Sequence, residues 1–415
     1  MTSAPSEARA RLQDNQVQPS AVLAPSSLLR REPFARALPR CYRRPPAVEF
    51  GVSHVNQALK LLLLSYPYHA SKHTGRGHDR YVAELVDNTS RECGSVAMRV
   101  IDTGFAKDTL RGLLKLPQKA FELLRADAQV CHAISPMGGA PAALLGKRPL
   151  VVTIHDLVPF QVADFDSGLK MRLARQCVRV CLRLADAIIV PYQITKDELV
   201  SKLHADPAKV HVVNYGVDHQ GYFPRPNVER AARTVLYVGA VSRQKGVELL
   251  IRSFAQVKAR VPDAKLVIGG KSSTDQPALE NLVKSMGISD VTFTGFIAEA
   301  DLADHYAKAG VMVFPSHYGF GLSTLEAMAC GTPVVGVAAL DAPEFFADAG
   351  VLAEPNNVDD LAACLTRVLS DVELQRDLSE RSIARAALFS WARTARENVR
   401  VYEQVARRAS PASRA

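Results

Sequence analysis

The sequence predicts an α/β protein built from two doubly wound domains with parallel sheets. Three observations carry that expectation. Short apolar runs recur near residues 58–65, 96–102, 129–134, 150–154, 187–191, 234–239, 264–268, 291–294 and 311–315, with helical patterns between most of them. Such alternation implies βαβ units, and unbroken apolar runs suit strands buried on both faces. The 415 residues are also enough for two domains of ordinary size.

The stretch 311–336, VMVFPSHYGFGLSTLEAMACGTPVVG, is the unit most sharply written in the chain. Val311 to Pro315 reads as a buried strand ending in proline. Gly319 and Gly321 flank Phe320 in a loop, where glycine allows a sharp turn and close approach of a ligand. Ser323 and Glu326 have the S-x-x-E spacing of a capping box, which predicts a helix beginning at Ser323. Gly331 and Pro333 stop that helix, and Val334 and Val335 open the next strand. A helix N-terminus aimed out of the carboxyl end of a strand offers its N–H groups to an anion, so this is a candidate diphosphate site.

Composition narrows the function classes. The net charge of +9 is concentrated at the ends, with +4 in residues 1–50 and +5 from Arg385 onward, so the middle is nearly neutral. That distribution disfavours nucleic acid as a partner; a basic fringe suits either an anionic lipid surface or simple solubility. No stretch reaches the 18 or so apolar residues of a membrane span, and the N-terminus lacks the layout of a secretory signal. The seven cysteines (Cys41, Cys93, Cys131, Cys177, Cys181, Cys330 and Cys364) are scattered and contain no C-x-x-C pair. They fit a reducing cytoplasm, not a zinc site or a disulfide frame. The expected location is cytoplasmic, with a peripheral position at the inner face of the membrane as the variant of that reading.

Residues 1–57, rich in Pro, Ser, Ala and Arg, read as a disordered tail. Gly75-Arg76-Gly77 then forms a polar loop ahead of a helix starting near Asp79. His155 and Asp156 follow a buried strand, at the edge where doubly wound sheets bind ligands. A histidine there suits a hydrogen bond to a ligand or proton transfer, although a lone histidine after a strand is more often structural. Residues 169–184 form an amphipathic helix with Arg172, Arg175, Arg179 and Arg183 on one stripe. It is read as a helix packed on a core, with a membrane-surface helix as the alternative. Gly221, Pro224 and Pro226 mark a linker, with the boundary near residue 220.

The stretch 311–336 resembles the donor-site signature of the retaining glycosyltransferases of family 4, E-G-F-G-L-x-x-x-E followed by A-M-A-x-G-x-P-V-V. Gly319, Phe320, Gly321, Leu322, Glu326, Ala327 to Gly331 and Pro333 to Val335 match it. The resemblance implies the GT-B fold, in which two Rossmann-like domains face a central cleft. It suggests a tail at 1–57, an acceptor-side domain at 58–220, a nucleotide-sugar domain at 221–390 and a closing helix at 391–408 returning to the first domain. It implies transfer of a sugar from a nucleotide donor with retention at the anomeric carbon, in polysaccharide or glycoconjugate synthesis, to a glycan, lipid-linked or small-molecule acceptor. It implies no cofactor and no metal, since basic residues and helix N-termini take the diphosphate charge.

The resemblance also distributes roles. His155 would be the catalytic-centre histidine. Gly75, Gly77 and Asp156 would lie on the acceptor side. Lys245, in a K-G pair, and Arg243 would hold the diphosphate. Gly295 and Phe296, in T-G-F, would lie at the nucleobase. Gly319, Phe320, Gly321, Leu322 and Ser323 would line the donor loop, with Glu326 on the ribose. Glu326 has a competing reading as the capping-box partner of Ser323. Tyr318 stands where the family has its first glutamate, either replacing it or brought there by a one-residue deletion. That departure leaves three readings: an active enzyme with unusual donor contacts, a different donor sugar, or a nucleotide-binding pseudoenzyme that supports a partner. A dinucleotide-dependent oxidoreductase is a further alternative, because residues 319–324 nearly spell G-x-G-x-x-G, with Asp341 downstream; the third glycine is Thr324.

Overall fold

The computed structural model describes residues 58–65, 77–102, 120–161, 168–316, 321–339 and 342–410. The tail expected over 1–57 lies outside them. Twelve strands in this part form two six-stranded sheets, each parallel throughout. The first sheet contains β1 (Leu59–Ser65), β2 (Val96–Asp102), β3 (Val130–Ala133), β4 (Leu150–Thr153), β5 (Ala187–Val190) and β6 (Val210–Val212), in the order β2-β1-β3-β4-β5-β6. The second contains β7 (Ala231–Val238), β8 (Lys265–Gly269), β9 (Val291–Gly295), β10 (Ala309–Phe314), β11 (Val334–Val337) and β12 (Gly350–Ala353), in the order β12-β11-β10-β7-β8-β9.

Helices link the strands. In the first domain these are α1 (Gly77–Glu92), α2 (Pro136–Leu144), α3 (Val158–Gln161), α4 (Leu169–Leu184) and α5 (Gln193–Leu203). In the second they are α6 (Val247–Arg260), α7 (Gln276–Ser285), α8 (Glu299–Lys308), α9 (Leu322–Ala329), α10 (Ala342–Phe346), α11 (Val358–Ser370) and α12 (Val372–Ala386). A final helix, α13 (Trp391–Ala409), follows.

Burial explains why the strands were readable. β3, β4, β5 and β11 are buried at every position, as a parallel sheet covered on both faces requires. Side chains of β1 alternate between layers. Leu62 and Leu64 pack with Val152, Val178 and Cys181 of the α2/α4 side. Leu61 faces the opposite layer with Val130, Val151, Tyr402 and Val405. That layer is completed by α13, so the last of the described helices covers a face of the first sheet. Helix α4 buries Cys177, Val178 and Cys181 and exposes Arg172, Arg179 and Arg183, as the core-packed reading expects; Leu169 and Leu173 in its first turns are also exposed. Among the described residues no helix is long and apolar enough to cross a membrane.

Two crossings join the domains and lie side by side. Val217 pairs with Ser390, Thr394 Oγ1 donates to the Asn214 carbonyl at 2.8 Å, and the His219 ring lies 2.9 Å from the Phe389 carbonyl. Gly216 is required by this packing, because a Cβ there would overlap the Trp391 backbone. Strand order then locates the ligand edges. In each sheet the order reverses once, between β1 and β3 and between β7 and β10. Open α/β sheets bind ligands at the carboxyl ends of strands flanking such a switch point.

Helix α8 ends at Lys308, and Ala309 already belongs to β10, paired with Ala231. One local expectation is corrected. The capping box at Ser323 does not form. The N-cap is Gly321 in the left-handed region (φ 65°), no side chain caps it, and the helix begins at Leu322. Glycine meets that geometry without strain, and Gly321 packs close to the Phe345 ring, where a Cβ would come within 3.0 Å.

Candidate active site

The second sheet's switch point brings together two stretches 70 residues apart in sequence. After β7, residues Arg243–Lys245 form a 3-10 turn closed by Gly246 in the left-handed conformation (φ 74°). After β10, the chain reaches Pro315, whose carbonyl oxygen presses against Gly246 so tightly that no Cβ fits between them. Gly246 therefore seats the Lys245 turn directly on the strand end that leads into α9.

Lys245 is half-buried. Burial lowers its pKa from the ordinary lysine value, and the carboxylate of Asp156 on the first domain opposes that shift. Asp156 feels the mirror effect: burial raises its pKa, while the Val158 N–H, 3.2 Å from Oδ1, and Lys245 act against the rise. A cation after β7 and a carboxylate after β4 thus sense one another from different domains. Arg243 behaves differently. Its side chain is exposed, its Nε lies 3.1 Å from Glu248 Oε2, and its backbone N–H donates to Asp275 at 3.0 Å.

His155 is buried just beyond β4. Its Nδ1 lies 2.8 Å from the Tyr215 hydroxyl, and its ring meets those of Tyr81 and His78 edge-on at 5.1 and 5.6 Å. Burial, with His78 adding to it, holds its pKa well below the usual histidine value, so the ring is neutral near pH 7. A ring that resists protonation is a poor general base but a good hydrogen-bonding group.

Glu326 stands one turn into α9 and is 4% exposed. It does not turn back to cap its own helix. Oε1 pairs with Arg80 Nη1 of α1, and Oε2 accepts the Tyr306 hydroxyl at 2.9 Å. Arg80 also reaches Glu299 through Nη2 at 3.2 Å. Leu322 is buried and Ser323 half-buried at the start of α9. Gly295, with φ 71°, ends β9, and its carbonyl accepts the Gly270 N–H at 2.8 Å; Phe296 beside it is 55% exposed. Gly77 opens α1. Gly75, Tyr318, Gly319 and Phe320 lie outside the described residues, as does Asp341.

A second cross-domain contact was not foreseen. The Glu344 carboxylate, at α10, accepts the N–H groups of Gln193 (2.8 Å) and Ile194 (2.9 Å) at the start of α5. It caps a helix of the other domain. Phe345 beside it stacks on Tyr192, with ring centroids 5.9 Å apart.

The comparisons agree with this architecture. Residues 222–385 match the model described as glycosyl transferases group 1, and residues 68–220 match that of glycosyltransferase family 4. A D-inositol 3-phosphate glycosyltransferase of Kineococcus radiotolerans is 30% identical over 342 residues, which cover 72% of this chain and 78% of the relative. This chain belongs to the family 4 glycosyltransferases. Being a hexosyltransferase-type enzyme, it is not the dinucleotide-dependent oxidoreductase that residues 319–324 also suggested. Among solved structures, sucrose-phosphate synthase of Thermosynechococcus elongatus shares the fold with a TM-score of 0.72 at 23% identity, over 83% of this chain and 98% of that one. HepE of Anabaena, solved with UDP-glucose, gives a TM-score of 0.66 at 19% identity, over 83% of this chain and all of the other. The glycosyltransferase thus has the GT-B arrangement.

Proposed function

We propose that this glycosyltransferase moves a hexose from a nucleoside diphosphate donor to an acceptor hydroxyl with retention of configuration, in glycan or glycoconjugate synthesis. The observation that carries the reading is the Lys245–Gly246 turn seated on Pro315 at the switch point of the second sheet, with Lys245 sensing Asp156 across the cleft. In the reaction the bond from the anomeric carbon to the diphosphate breaks, its electron pair leaving with the phosphate oxygen. The acceptor oxygen bonds the same carbon from the same face, and its proton passes to the departing diphosphate. Charge grows on that diphosphate, and a partly desolvated cation nearby stabilises it more than an exposed one would. Lys245 takes this role without a metal, helped by the N-terminus of α9. Glu326 accepts the ribose hydroxyls, Gly295 and Phe296 border the base, and neutral His155 hydrogen-bonds the transferred sugar. The acceptor, a glycan, lipid-linked saccharide or small molecule, enters beside Gly77 and Asp156.

The Anabaena structure with UDP-glucose supports uridine as the first base to try. The experiment is a calorimetric screen of UDP, GDP and ADP, followed by their sugar conjugates with acceptor hydroxyls of each class. Binding of one nucleoside diphosphate, and a product whose anomeric configuration by NMR equals the donor's, is the expected result. Inversion would remove the retaining mechanism. Tight binding with no turnover on any acceptor would favour the pseudoenzyme suggested by Tyr318.

A further inference from the structure

Arg80 is the one long cation that leaves the first domain and ends among carboxylates of the second, as far as the described residues go. It rises from the first turn of α1, three residues after Gly77, and its side chain is 15% exposed. There it pairs with Glu326 through one nitrogen and Glu299 through the other. Burial works against its charge, and Tyr222, Glu299, Tyr306 and Glu84 around it more than compensate, so the guanidinium is held firmly ionised.

We infer that Arg80 is a positioning residue for the donor: from the opposite domain it orients the Glu326 carboxylate, so that donor recognition depends on the closed cleft. The inference rests on the ribose role proposed for Glu326. A carboxylate has about four lone-pair sites. Arg80 takes one on Oε1 and Tyr306 one on Oε2, which leaves one on each oxygen in a direction set by these two partners. Two remaining acceptors suit a vicinal diol. Without Arg80 the carboxylate is buried with its charge uncompensated, and it rotates or takes up a proton instead of presenting those lone pairs. Because Arg80 arrives on α1, separating the domains removes it from Glu326. A nucleoside diphosphate bound to the second domain alone would then lack an oriented ribose partner.

The test compares wild type, Arg80→Gln, Arg80→Lys, Glu326→Gln and the double variant Arg80→Gln/Glu326→Gln. Thermal unfolding accompanies each to establish folding. Calorimetry uses the nucleoside diphosphate that wild type binds. Arg80→Gln should weaken binding about tenfold or more, and Arg80→Lys, which keeps the charge but not the fork, should recover part of it. The double variant should bind no worse than Glu326→Gln alone, and in turnover the donor KM should rise while the acceptor KM holds. Unchanged or tighter binding by Arg80→Gln would overturn the inference. So would additive losses in the double variant, which would mean that Arg80 does not act through Glu326. If Arg80→Gln fails to fold, Arg80→Lys and its double variant carry the same comparison. Failure of wild type to bind any nucleoside diphosphate would instead refute the proposed function beneath it.

Discussion

Gly246 and the carbonyl of Pro315 touch with no room for a side chain between them. The contact joins the turn that carries Lys245 to the end of β10, and Gly246 also has a positive φ of 74°. Gly246→Ala therefore meets two penalties, a strained backbone and a clash with main chain that cannot rotate away. It should destabilise the protein by ~1–3 kcal/mol in denaturant titrations, and weaken nucleotide binding as Lys245 is displaced. Gly287, which also has a positive φ (63°) but open space around its Cβ, is the control. Alanine there should cost only the backbone part and leave binding intact.

Lys245→Ala removes the cation itself. Nucleoside diphosphate binding should weaken by ~1.5–3 kcal/mol, as for a hydrogen bond to a charged group. Arg243→Ala should cost less, because Arg243 is exposed and already paired with Glu248. Equal losses for the two variants would place Arg243 on the diphosphate despite that pairing, and an unchanged affinity for Lys245→Ala would remove Lys245 from the site.

How far the sequence was legible follows from the same physics. Parallel strands buried on both faces are written as unbroken apolar runs, so β4, β5 and β10 could be read directly. The short edge strands β6 (Val210–Val212) and β12 (Gly350–Ala353) could not; they are only partly buried, and His211 interrupts the first. The S-x-x-E spacing misled because Gly321 met the N-cap geometry with its backbone, which left Glu326 for longer-range partners. Arg80 carried no signal at all: its partner lies 246 residues away, and Asp79 beside it is as good a helix-start residue. Resemblance pointed to Lys245, Glu326 and His155. Only the fold shows that Glu326 is held from the other domain.

Glu344 should matter for stability more than its surface position suggests. It satisfies two N–H groups at the start of α5, whose N-cap residue Tyr192 supplies no side-chain cap. Glu344→Ala should cost ~0.5–2 kcal/mol, the range for losing a helix cap. Glu344→Gln retains the acceptor oxygen and should recover part of the loss. A Glu344→Ala variant as stable as wild type would show that water replaces the carboxylate at no cost.

His132 supplies the pH dependence. It is fully buried in β3, with Nδ1 2.7 Å from the Tyr402 hydroxyl and Nε2 2.8 Å from Thr153 Oγ1. Burial lowers its pKa to about 3, against ~6.5 in an unfolded chain. The folded ring thus stays neutral where the unfolded one binds a proton. Stability is full above the unfolded value and falls as the pH drops from ~6.5 toward the folded value, by at most ~1.4 kcal/mol per pH unit for this one group. His155 adds a slope of the same sign. His132→Gln keeps a polar side chain in the network and removes the titration. Its absolute stability should be lower at pH 7, but between pH ~6 and ~4 it should lose stability less steeply than wild type, by about one proton's worth of slope. Denaturant midpoints across that range give the comparison. Equal slopes would mean that the His132 ring takes up a proton in the folded state, which NMR of the imidazole would then register directly.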